Sequence, residues 1–386
     1  MENYQPQTQC VHSGTHKDPN SKGIVTPVYP ATSHGYLDTE VKAYPRYFNT
    51  VNQDVVVRKV AALEKAADGL VFASGMAAIS TSLFAHLKAG DHIVFQKRLY
   101  GGTSHLIRDS FGDYGIEYSF ADGDRIEDYE VALKANTRMI YIESPSNPLL
   151  GITDIADIAQ LARKRGILTM IDNTFASPIN QNPIPLGIDL VMHSATKYLG
   201  GHSDICAGMV LGARDVINPI RALAKKFGGS LNAETCALLE RSIKTLALRV
   251  RQQNQNAAQV ADFLNTQSWV RQVNYPGLKN HPNHEIARQQ MPGGFGGMLS
   301  FELESGIDPI SFQKNLELIS SSMSLGGVET TICSPFLTSH AALSPAQRVA
   351  EGIDDQLLRV SVGIEEAGDL IKDFEQAVQK PKMALV

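Results

Sequence analysis

One lysine, Lys197, stands in a sequence context suited to covalent chemistry. It follows the apolar run DLVMHS, and the hydroxyl residues Ser194 and Thr196 come just before it. Burial disfavours the ammonium form of a lysine, so a lysine crowded into a cleft offers a neutral, nucleophilic amine. Two hydroxyls near a glycine pair suit the oxygens of a phosphate. The alternative is a surface lysine just past a strand end, because buried lysines are rare.

Two further side chains follow apolar runs. Asp172 ends the run ILTMID, and Tyr100 follows HIVFQ just before Gly101-Gly102. A carboxylate such as Asp172 can keep a pyridine nitrogen protonated, which makes the ring an electron sink. It fits the role of a helix cap or turn acid equally well. The ring of Tyr100 is placed either to face a flat cofactor or to pack beside the turn.

A possible anion cradle and a possible carboxylate anchor complete the set. Ser74-Gly75-Met76 joins the run LVFA to the helical stretch AAISTSLFAHL. Backbone N–H groups and the helix dipole attract a phosphate at such a junction, although the serine also suits an ordinary N-cap. Arg359, in LLRVSVG, either holds a substrate carboxylate through two hydrogen bonds or lies on the surface of an edge strand.

These residues need a scaffold that brings them together. Between residues 55 and 212, short unbroken apolar runs alternate with helical stretches such as DIADIAQLARKRG, which indicates an α/β layer with a largely parallel, buried sheet. Ligands of such sheets bind outside the carboxyl ends of the strands. The residues at those ends, including Glu143 and Asn147, could together hold a charged, flat ring that carries a phosphate.

The length of 386 residues favours two domains. We predict a docking arm over residues 1–50, a ligand-binding domain over 51–246 and a smaller α/β domain over 247–386, with a long helical region as the bridge. The arm has no regular period, and its Tyr44-Pro45-Arg46-Tyr47 tract contains residue types that interfaces favour.

The bulk composition excludes several classes of protein. A net charge of −5 gives no basic footprint for nucleic acid. The four cysteines show no metal-ligand spacing, so we expect no metal site and a reducing compartment. The polar N-terminus and the short apolar runs predict a cytoplasmic protein with no membrane contact. No GxGxxG joins a strand to a helix in the N-terminal half, which disfavours a nicotinamide enzyme.

The block DLVMHSATKYLGGHSD (189–204) resembles the cofactor-lysine signature of the Cys/Met-metabolism family, and the likeness extends over nearly the whole chain. The family comprises pyridoxal 5'-phosphate (PLP) enzymes of trans-sulfuration. The resemblance implies the aspartate-aminotransferase-like (type I) fold, with a large, mostly parallel-sheet domain and a smaller C-terminal α/β domain. It also implies a homo-oligomer, a tetramer, with active sites shared between subunits.

The resemblance also assigns roles to individual residues. Lys197 holds PLP as a Schiff base and moves protons, Asp172 pairs with the pyridine nitrogen, and Tyr100 stacks on the ring. The remaining cofactor residues are Gly75, Met76, Ser194 and Thr196 at the phosphate, Asn147 near the ring hydroxyl, and Tyr44 and Arg46 reaching into the neighbouring subunit. Ser324 and Arg359 receive the substrate carboxylate.

Two departures from the family pattern bear on the reaction. Gly102 stands where methionine γ-lyases often carry a cysteine, and Met323 stands where γ-acting enzymes on cystathionine usually carry a glutamate. We therefore favour β-elimination from cystathionine, which yields homocysteine, pyruvate and ammonia. Cystathionine γ-lyase or γ-synthase is the alternative, followed by methionine γ-lyase and O-acetylhomoserine sulfhydrylase.

Three other classes compete with a carbon–sulfur lyase. A class I aldolase also uses a lysine Schiff base, but its barrel has no use for the Ser-x-Thr-Lys block or a pyridine-facing aspartate. An aminotransferase would leave the carbon–sulfur bond intact. A binding or scaffold protein has little use for a lysine, an aspartate and a phosphate cradle together.

Overall fold

The structure is a computed structural model and describes residues 4–339, 341, 348 and 352–380. The strands are β1 (Asp68–Phe72), β2 (His92–Gln96), β3 (Glu117–Ala121), β4 (Thr137–Glu143), β5 (Leu168–Asp172), β6 (Leu190–Ser194), β7 (Gly208–Gly212), β8 (Val270–Asn274), β9 (Met298–Leu303), β10 (Ser320–Ser321), β11 (Thr331–Cys333) and β12 (Leu357–Ser361). The α-helices are α1 (Pro6–His12), α2 (Val51–Glu64), α3 (Gly75–His86), α4 (Gly101–Ser110), α5 (Ile126–Ala132), α6 (Ile155–Arg165), α7 (Ser177–Asn180), α8 (Arg214–Phe227), α9 (Ala233–Ile243), α10 (Leu246–Asn265), α11 (His284–Gln290), α12 (Pro309–Asn315) and α13 (Ala367–Gln379).

A seven-stranded sheet forms the larger layer, in the order β1-β7-β6-β5-β4-β2-β3. Strand β7 runs antiparallel to both its neighbours, and the other pairs are parallel. Helices cover both faces, which explains why strands such as β2 are buried at every residue and appear in the sequence as unbroken apolar runs. The prediction of a largely parallel, buried sheet is confirmed.

The parallel strands β4, β5 and β6 end side by side at one edge of this sheet. Glu143 pairs with Asp172 in the ladder, and Asp172 pairs with Met192. Lys197 lies three residues past the end of β6, in the turn that leads to β7. Topology alone thus gathers the carboxylates and the lysine at the carboxyl edge.

A second sheet of five strands has the order β10-β11-β12-β9-β8 and is antiparallel except for its β10–β11 pair. It packs with α10 and α13 around a separate apolar core that includes Phe301, Phe312 and Phe374. Strand β12 lies between β11 and β9, so Arg359 sits on an interior strand. The edge-strand alternative for Arg359 is therefore excluded.

The helical region between the two sheets is broken. The sequence 232–265 indicates one long helix, whereas the structure ends α9 at Ile243 and begins α10 at Leu246. Helix α10 contacts both α7, beside the large sheet, and β8 and β9 of the second sheet. The domain limits 51–246 and 247–386 stay a prediction, and the last of these ranges includes residues outside the described part of the chain.

The segment before α2 is mostly irregular, as expected, but α1 and a 3-10 turn at Pro45–Tyr47 interrupt it. Helix α1 packs on α2, where the buried amine of Lys59 donates to the carbonyl oxygens of Cys10 and Val11 at 3.2 and 3.3 Å. The stretch between α1 and the turn exposes apolar side chains, Ile24 and Leu37 among them. Within the described residues, every helix is too short or too polar to cross a membrane.

Candidate active site

A cavity of about 490 Å³ opens at the carboxyl edge of the large sheet and reaches the second sheet. This volume suits a small-molecule site. The residues predicted from sequence that line it are Gly75, Met76, Tyr100, Asn147, Asp172, Ser194, Thr196, Lys197, Met323, Ser324 and Arg359. The structure therefore brings together eleven of the thirteen candidates, drawn from both sheets.

Lys197 is half-buried in this cavity, and its amine donates to the hydroxyl of Ser324 at 2.7 Å. Ser324 has a φ of 78°, a conformation that non-glycine residues seldom adopt. Burial lowers the pKa of Lys197, and the positive charge of Arg359 lowers it further. The amine therefore stays neutral to a lower pH than an ordinary lysine does, as a nucleophile or a base requires.

Asp172 and Glu143 form a pair of buried carboxyl groups at the ends of β5 and β4. Burial raises the pKa of both, and the charge of Asp172 raises that of Glu143 further. Asp172 accepts a hydrogen bond from the Thr174 backbone at 3.0 Å, and the charges of His193 and Lys197 also lower its pKa. The pKa of Glu143 is held well above its ordinary value, so Glu143 is the member of the pair that burial most disfavours as a charged group.

The start of α3 forms the anion cradle. The hydroxyl of Ser74 accepts from the backbone N–H of Ala77 at 3.1 Å, so Ser74 does act as an N-cap. Gly75 faces Ser194 so closely that a Cβ on it would lie 3.0 Å from the Ser194 Cβ. Ser194 at the end of β6 and Thr196 just past it line the same cavity as Gly75, so the positive end of the α3 dipole and two hydroxyl residues lie where a phosphate would be attracted.

Arg359 lines the cavity from β12 of the second sheet. It is 6% exposed, and its guanidinium donates to the side-chain oxygen of Asn147 at 2.8 Å and to the Ser324 carbonyl at 3.3 Å. Its Nε is buried and has no hydrogen-bond partner within the described residues. A buried guanidinium without a carboxylate partner is well placed to receive one from a ligand.

Tyr44 and Arg46 lie outside this cavity. The Arg46 guanidinium donates to the carbonyl of Lys225 on α8 and lies over the rings of Tyr44 and Tyr47 at 5.6 and 5.4 Å. Neither residue lines the cavity of its own chain. Their predicted action in a neighbouring subunit stays a prediction.

The lining chemistry fits PLP. The cradle at Gly75 is suited to a phosphate, the Asp172 carboxyl group to a protonated ring nitrogen, and the Lys197 amine to an aldehyde. Tyr100 is 45% exposed at the cavity, so its ring is available for stacking. Within the described residues, there is no cluster of side chains suited to a metal ion.

Three contributors to the site received no individual role from the sequence. Thr174 links Asp172 to Ser194, because its N–H donates to Asp172 and its hydroxyl accepts from the Ser194 N–H at 2.8 Å. Glu143 was placed at a strand end but given no role; it accepts the N–H groups of Tyr100 and Asn147 at 2.8 and 3.2 Å. Cys206 also lines the cavity. The positions of Thr174 and Glu143 at strand ends could have indicated their roles, but no sequence pattern indicated Cys206.

Comparisons with known proteins show the family. The family described as "Cys/Met metabolism PLP-dependent enzyme" matches residues 7–379. The chain is 40% identical over 380 residues to a cystathionine beta-lyase of Lactococcus lactis subsp. cremoris (strain MG1363), covering 97% of this chain and 99% of the relative. It is 40% identical over 376 residues to a cystathionine gamma-lyase of Bacillus subtilis (strain 168), with the same coverage.

A solved structure extends the likeness to the fold. The crystal structure of cystathionine gamma-lyase from Lactobacillus plantarum complexed with L-serine superposes with a TM-score of 0.94 at 39% identity, covering 97% of this chain and 99% of the other. The predicted aspartate-aminotransferase-like fold, the PLP cofactor and the class of PLP-dependent lyase are confirmed. The chain belongs to the Cys/Met-metabolism family of PLP-dependent enzymes.

Proposed function

We propose that this enzyme cleaves cystathionine by β-elimination, releasing homocysteine, pyruvate and ammonia. Relatives of equal identity carry beta-lyase and gamma-lyase names, so the choice depends on the cavity. The proposal of β-elimination rests on Met323, which lines the cavity and is 71% exposed. Its thioether side chain offers no carboxylate to the distal ammonium group of the substrate. Cystathionine γ-lyase or γ-synthase activity is the alternative, with methionine γ-lyase and O-acetylhomoserine sulfhydrylase behind it.

The cofactor would be held at three points. Gly75 and Met76 at the start of α3, with Ser194 and Thr196, would hold the phosphate, and Asp172 would keep the pyridine nitrogen protonated. Tyr100 would stack on the ring, and Asn147 would lie near its hydroxyl. PLP, when bound, supplies an electron sink that stabilises negative charge developing at the substrate Cα.

Lys197 is the proposed base. With the substrate bound, its neutral amine would take the proton from the substrate Cα. Ser324, at 2.7 Å from the amine, would hold it in place. Tyr100 is the proposed partner in proton transfer on the exposed side of the cavity. The electron pair left at Cα would form a Cα=Cβ double bond as the Cβ–S bond breaks and the homocysteine thiolate leaves. Water would then hydrolyse the remaining enamine to pyruvate and ammonia.

Arg359 would bind the carboxylate that adjoins the reacting Cα. The Asn147 and Ser324 contacts hold its guanidinium in a fixed plane, and the fork geometry of arginine matches both oxygens of a carboxylate. The substrate would therefore be anchored at its near end by Arg359, while Met323 leaves its far end loosely held.

Product analysis with cystathionine tests the proposed reaction, because pyruvate reports β-cleavage and 2-oxobutyrate reports γ-cleavage. We expect appreciable pyruvate from the wild-type enzyme. Release of 2-oxobutyrate alone would show that the β preference is wrong and that Met323 does not determine the reaction type.

Met323→Glu is expected to lower the Michaelis constant for cystathionine by about ten- to a hundredfold. A carboxylate there would gain a charge-assisted hydrogen bond of roughly 1.5–3 kcal/mol with the distal ammonium. Met323→Gln is the matched control, since glutamine has nearly the same shape without the charge. A thioether amino acid that lacks the distal ammonium should show no such gain. An equal gain in Met323→Gln would contradict the charge explanation.

We further propose that the enzyme is a homotetramer of the cytoplasm in which each active site is shared by two subunits. Tyr44 and Arg46 lie on an arm with exposed apolar side chains, outside their own cavity. Arg46 would reach the phosphate of the partner's cofactor. The free state of all four cysteines supports a reducing compartment.

Subunit mixing tests the shared site. Arg46→Ala and Lys197→Ala homo-oligomers should each be nearly inactive, whereas hybrids hold a site in which both residues are intact. In a hybrid pair one of the two sites is intact, so a pure hybrid should regain up to about half of the wild-type activity. A random mixture, in which about half of the pairs are hybrids, should regain about a quarter. If exchange is shown by mass spectrometry and no activity returns, Arg46 acts within its own chain.

A further inference from the structure

Glu143 is a buried residue of the cavity whose two carboxyl oxygens contact two different segments of the active site. It ends β4, which lies between β5 and β2 in the large sheet. Its backbone N–H donates to the side-chain oxygen of Gln96, at the end of β2, at 2.9 Å. The Glu143 backbone is therefore held on both sides by the sheet, which is the rigid base that a group needs in order to position others.

One carboxyl oxygen of Glu143 holds the residue proposed to stack on the cofactor. Oε2 accepts a hydrogen bond from the Tyr100 backbone N–H at 2.8 Å. Tyr100 directly precedes α4, so this bond satisfies an N–H group at the start of a helix, as the glutamate of a capping box does. The Tyr100 side chain is exposed, so packing alone does not fix its ring. The place of the ring therefore depends on where Glu143 holds the backbone.

The other carboxyl oxygen holds the residue that orients Arg359. Oε1 accepts a hydrogen bond from the Asn147 backbone N–H at 3.2 Å. The side-chain oxygen of Asn147 in turn accepts from the Arg359 guanidinium at 2.8 Å. These contacts run from β4 of the large sheet through Asn147 to β12 of the second sheet. The position of Glu143 thereby affects the group proposed to bind the substrate carboxylate.

These hydrogen bonds do not require a charge on Glu143. Burial and the negative charge of Asp172 raise the pKa of Glu143 well above its ordinary value, so its charged form is disfavoured. The oxygens of a protonated carboxyl group still have the capacity to accept hydrogen bonds. Glu143 can therefore hold both N–H groups in either state, and its effect on the site is one of geometry.

We propose that Glu143 is a positioning residue for both the cofactor and the substrate. Its Oε2 holds Tyr100 where the ring stacks on the cofactor, and its Oε1 holds Asn147 where that side chain orients Arg359. This inference rests on the proposed roles of Tyr100 and Arg359. In this role Glu143 acts on the ligands only through those two residues.

Glu143→Leu tests this role, because it removes both hydrogen-bond acceptors from a buried position. In the full-length chain reconstituted with PLP, we expect the dissociation constant for PLP, measured by equilibrium dialysis, to rise about three- to tenfold. KM for cystathionine, measured by total release of 2-oxo acid, should rise by a similar factor. Such factors correspond to the loss of one aromatic contact or one hydrogen bond. Unchanged values of both constants would overturn the inference.

Two double variants distinguish positioning from a merely structural role. With Tyr100→Leu, residue 100 keeps its backbone N–H but has no ring to place, so adding Glu143→Leu should change the dissociation constant for PLP by less than about twofold. With Arg359→Leu there is no guanidinium to orient, so adding Glu143→Leu should change KM by less than about twofold. A structural role would give the same factors as in the wild-type background, because independent effects are additive in free energy, and that result would overturn the inference.

Asp373→Leu is the matched control. Asp373 is also buried and accepts three backbone N–H groups, at 2.8, 2.9 and 3.0 Å, but it lies on α13, outside the cavity. This variant should lower thermal stability without changing the dissociation constant for PLP or KM, and equal losses in it would overturn the inference. If Glu143→Leu fails to fold, Glu143→Asp draws the carboxyl group back by one methylene group and should give the same pattern.

The single variants separate failure of this inference from failure of the proposed site. If Tyr100→Leu leaves PLP affinity unchanged, or Arg359→Leu leaves KM unchanged, the proposed site is wrong and the role of Glu143 with it. If both single variants weaken their own ligand but the effects of Glu143→Leu persist in the double variants, the site stands and the role of Glu143 is wrong.

Discussion

Lys197→Ala is expected to lower turnover of cystathionine by more than about a thousandfold. Proton transfer by a positioned side chain alone contributes about 10²–10⁴ to a rate, and this variant also loses the amine that attaches the cofactor. Steady-state pyruvate and 2-oxobutyrate release measures the loss. The Ser324 hydroxyl at 2.7 Å cannot replace the amine, because a hydroxyl is too weak a base at neutral pH.

The identity of the lysine can be tested directly. Borohydride reduction of the wild-type enzyme followed by peptide mapping should place the pyridoxyl group on Lys197. Lys164→Ala is a suitable control, because Lys164 lies on the exposed face of α6, and it should retain full activity. A pyridoxyl group on any other lysine would overturn the assignment.

Much of the site was predictable because it sits where parallel strands end. Asp172 and Ser194 each end a largely apolar run, Lys197 follows Ser194 by three residues, and the parallel ladder places the two runs side by side. The order of the strands along the chain was therefore enough to predict that their ends converge. The mostly parallel sheet followed from the same pattern, whereas the PLP cofactor followed from the resemblance of the 189–204 block to the family signature.

Contacts between distant parts of the chain were not predictable in the same way. Arg359 donates a hydrogen bond to Asn147, which lies 212 residues away in the sequence. The pattern LLRVSVG alone did not distinguish an interior strand from an edge strand. Its interior position follows from the placement of β12 between β11 and β9. Glu64 Oε1 lies 2.6 Å from His193 Nε2 although 129 residues separate them, and each is an ordinary polar residue beside an apolar run. A sequence pattern records a periodicity within a segment, but not which segments meet.

Helix boundaries were a second weakness. The sequence 232–265 keeps a helical pattern through Lys244 and Thr245, where the structure interrupts the helix. The Lys244 and Thr245 N–H groups instead close tight turns onto Arg241 and Ser242. Neither a proline nor a glycine marks this break, so the usual stop signals were missing.

Arg359→Leu is expected to lower kcat/KM for cystathionine by about 30-fold to several thousandfold. Removing one partner of a buried, hydrogen-bonded charge pair costs about 2–5 kcal/mol, and about 1.4 kcal/mol corresponds to a factor of ten. Because the substrate carboxylate is bound in the ground state and in the transition state alike, most of the change should appear in KM. The kcat/KM of Arg359→Lys should lie between those of the wild type and Arg359→Leu, because lysine keeps the positive charge but cannot form two parallel hydrogen bonds to a carboxylate.

The same variant should change the titration of Lys197. The positive charge of Arg359 opposes a second positive charge nearby and so lowers the pKa of Lys197. Its removal should raise that pKa, so that the amine becomes neutral only at a higher pH than in the wild type. The pH dependence of Lys197 acylation in cofactor-free protein would measure the shift, with Arg271→Leu, far from the cavity, as the control. If Arg359→Leu loses kcat/KM but the pKa of Lys197 does not rise, Arg359 serves only to bind the substrate carboxylate. If both changes occur, the same guanidinium binds the substrate and keeps the Lys197 amine neutral.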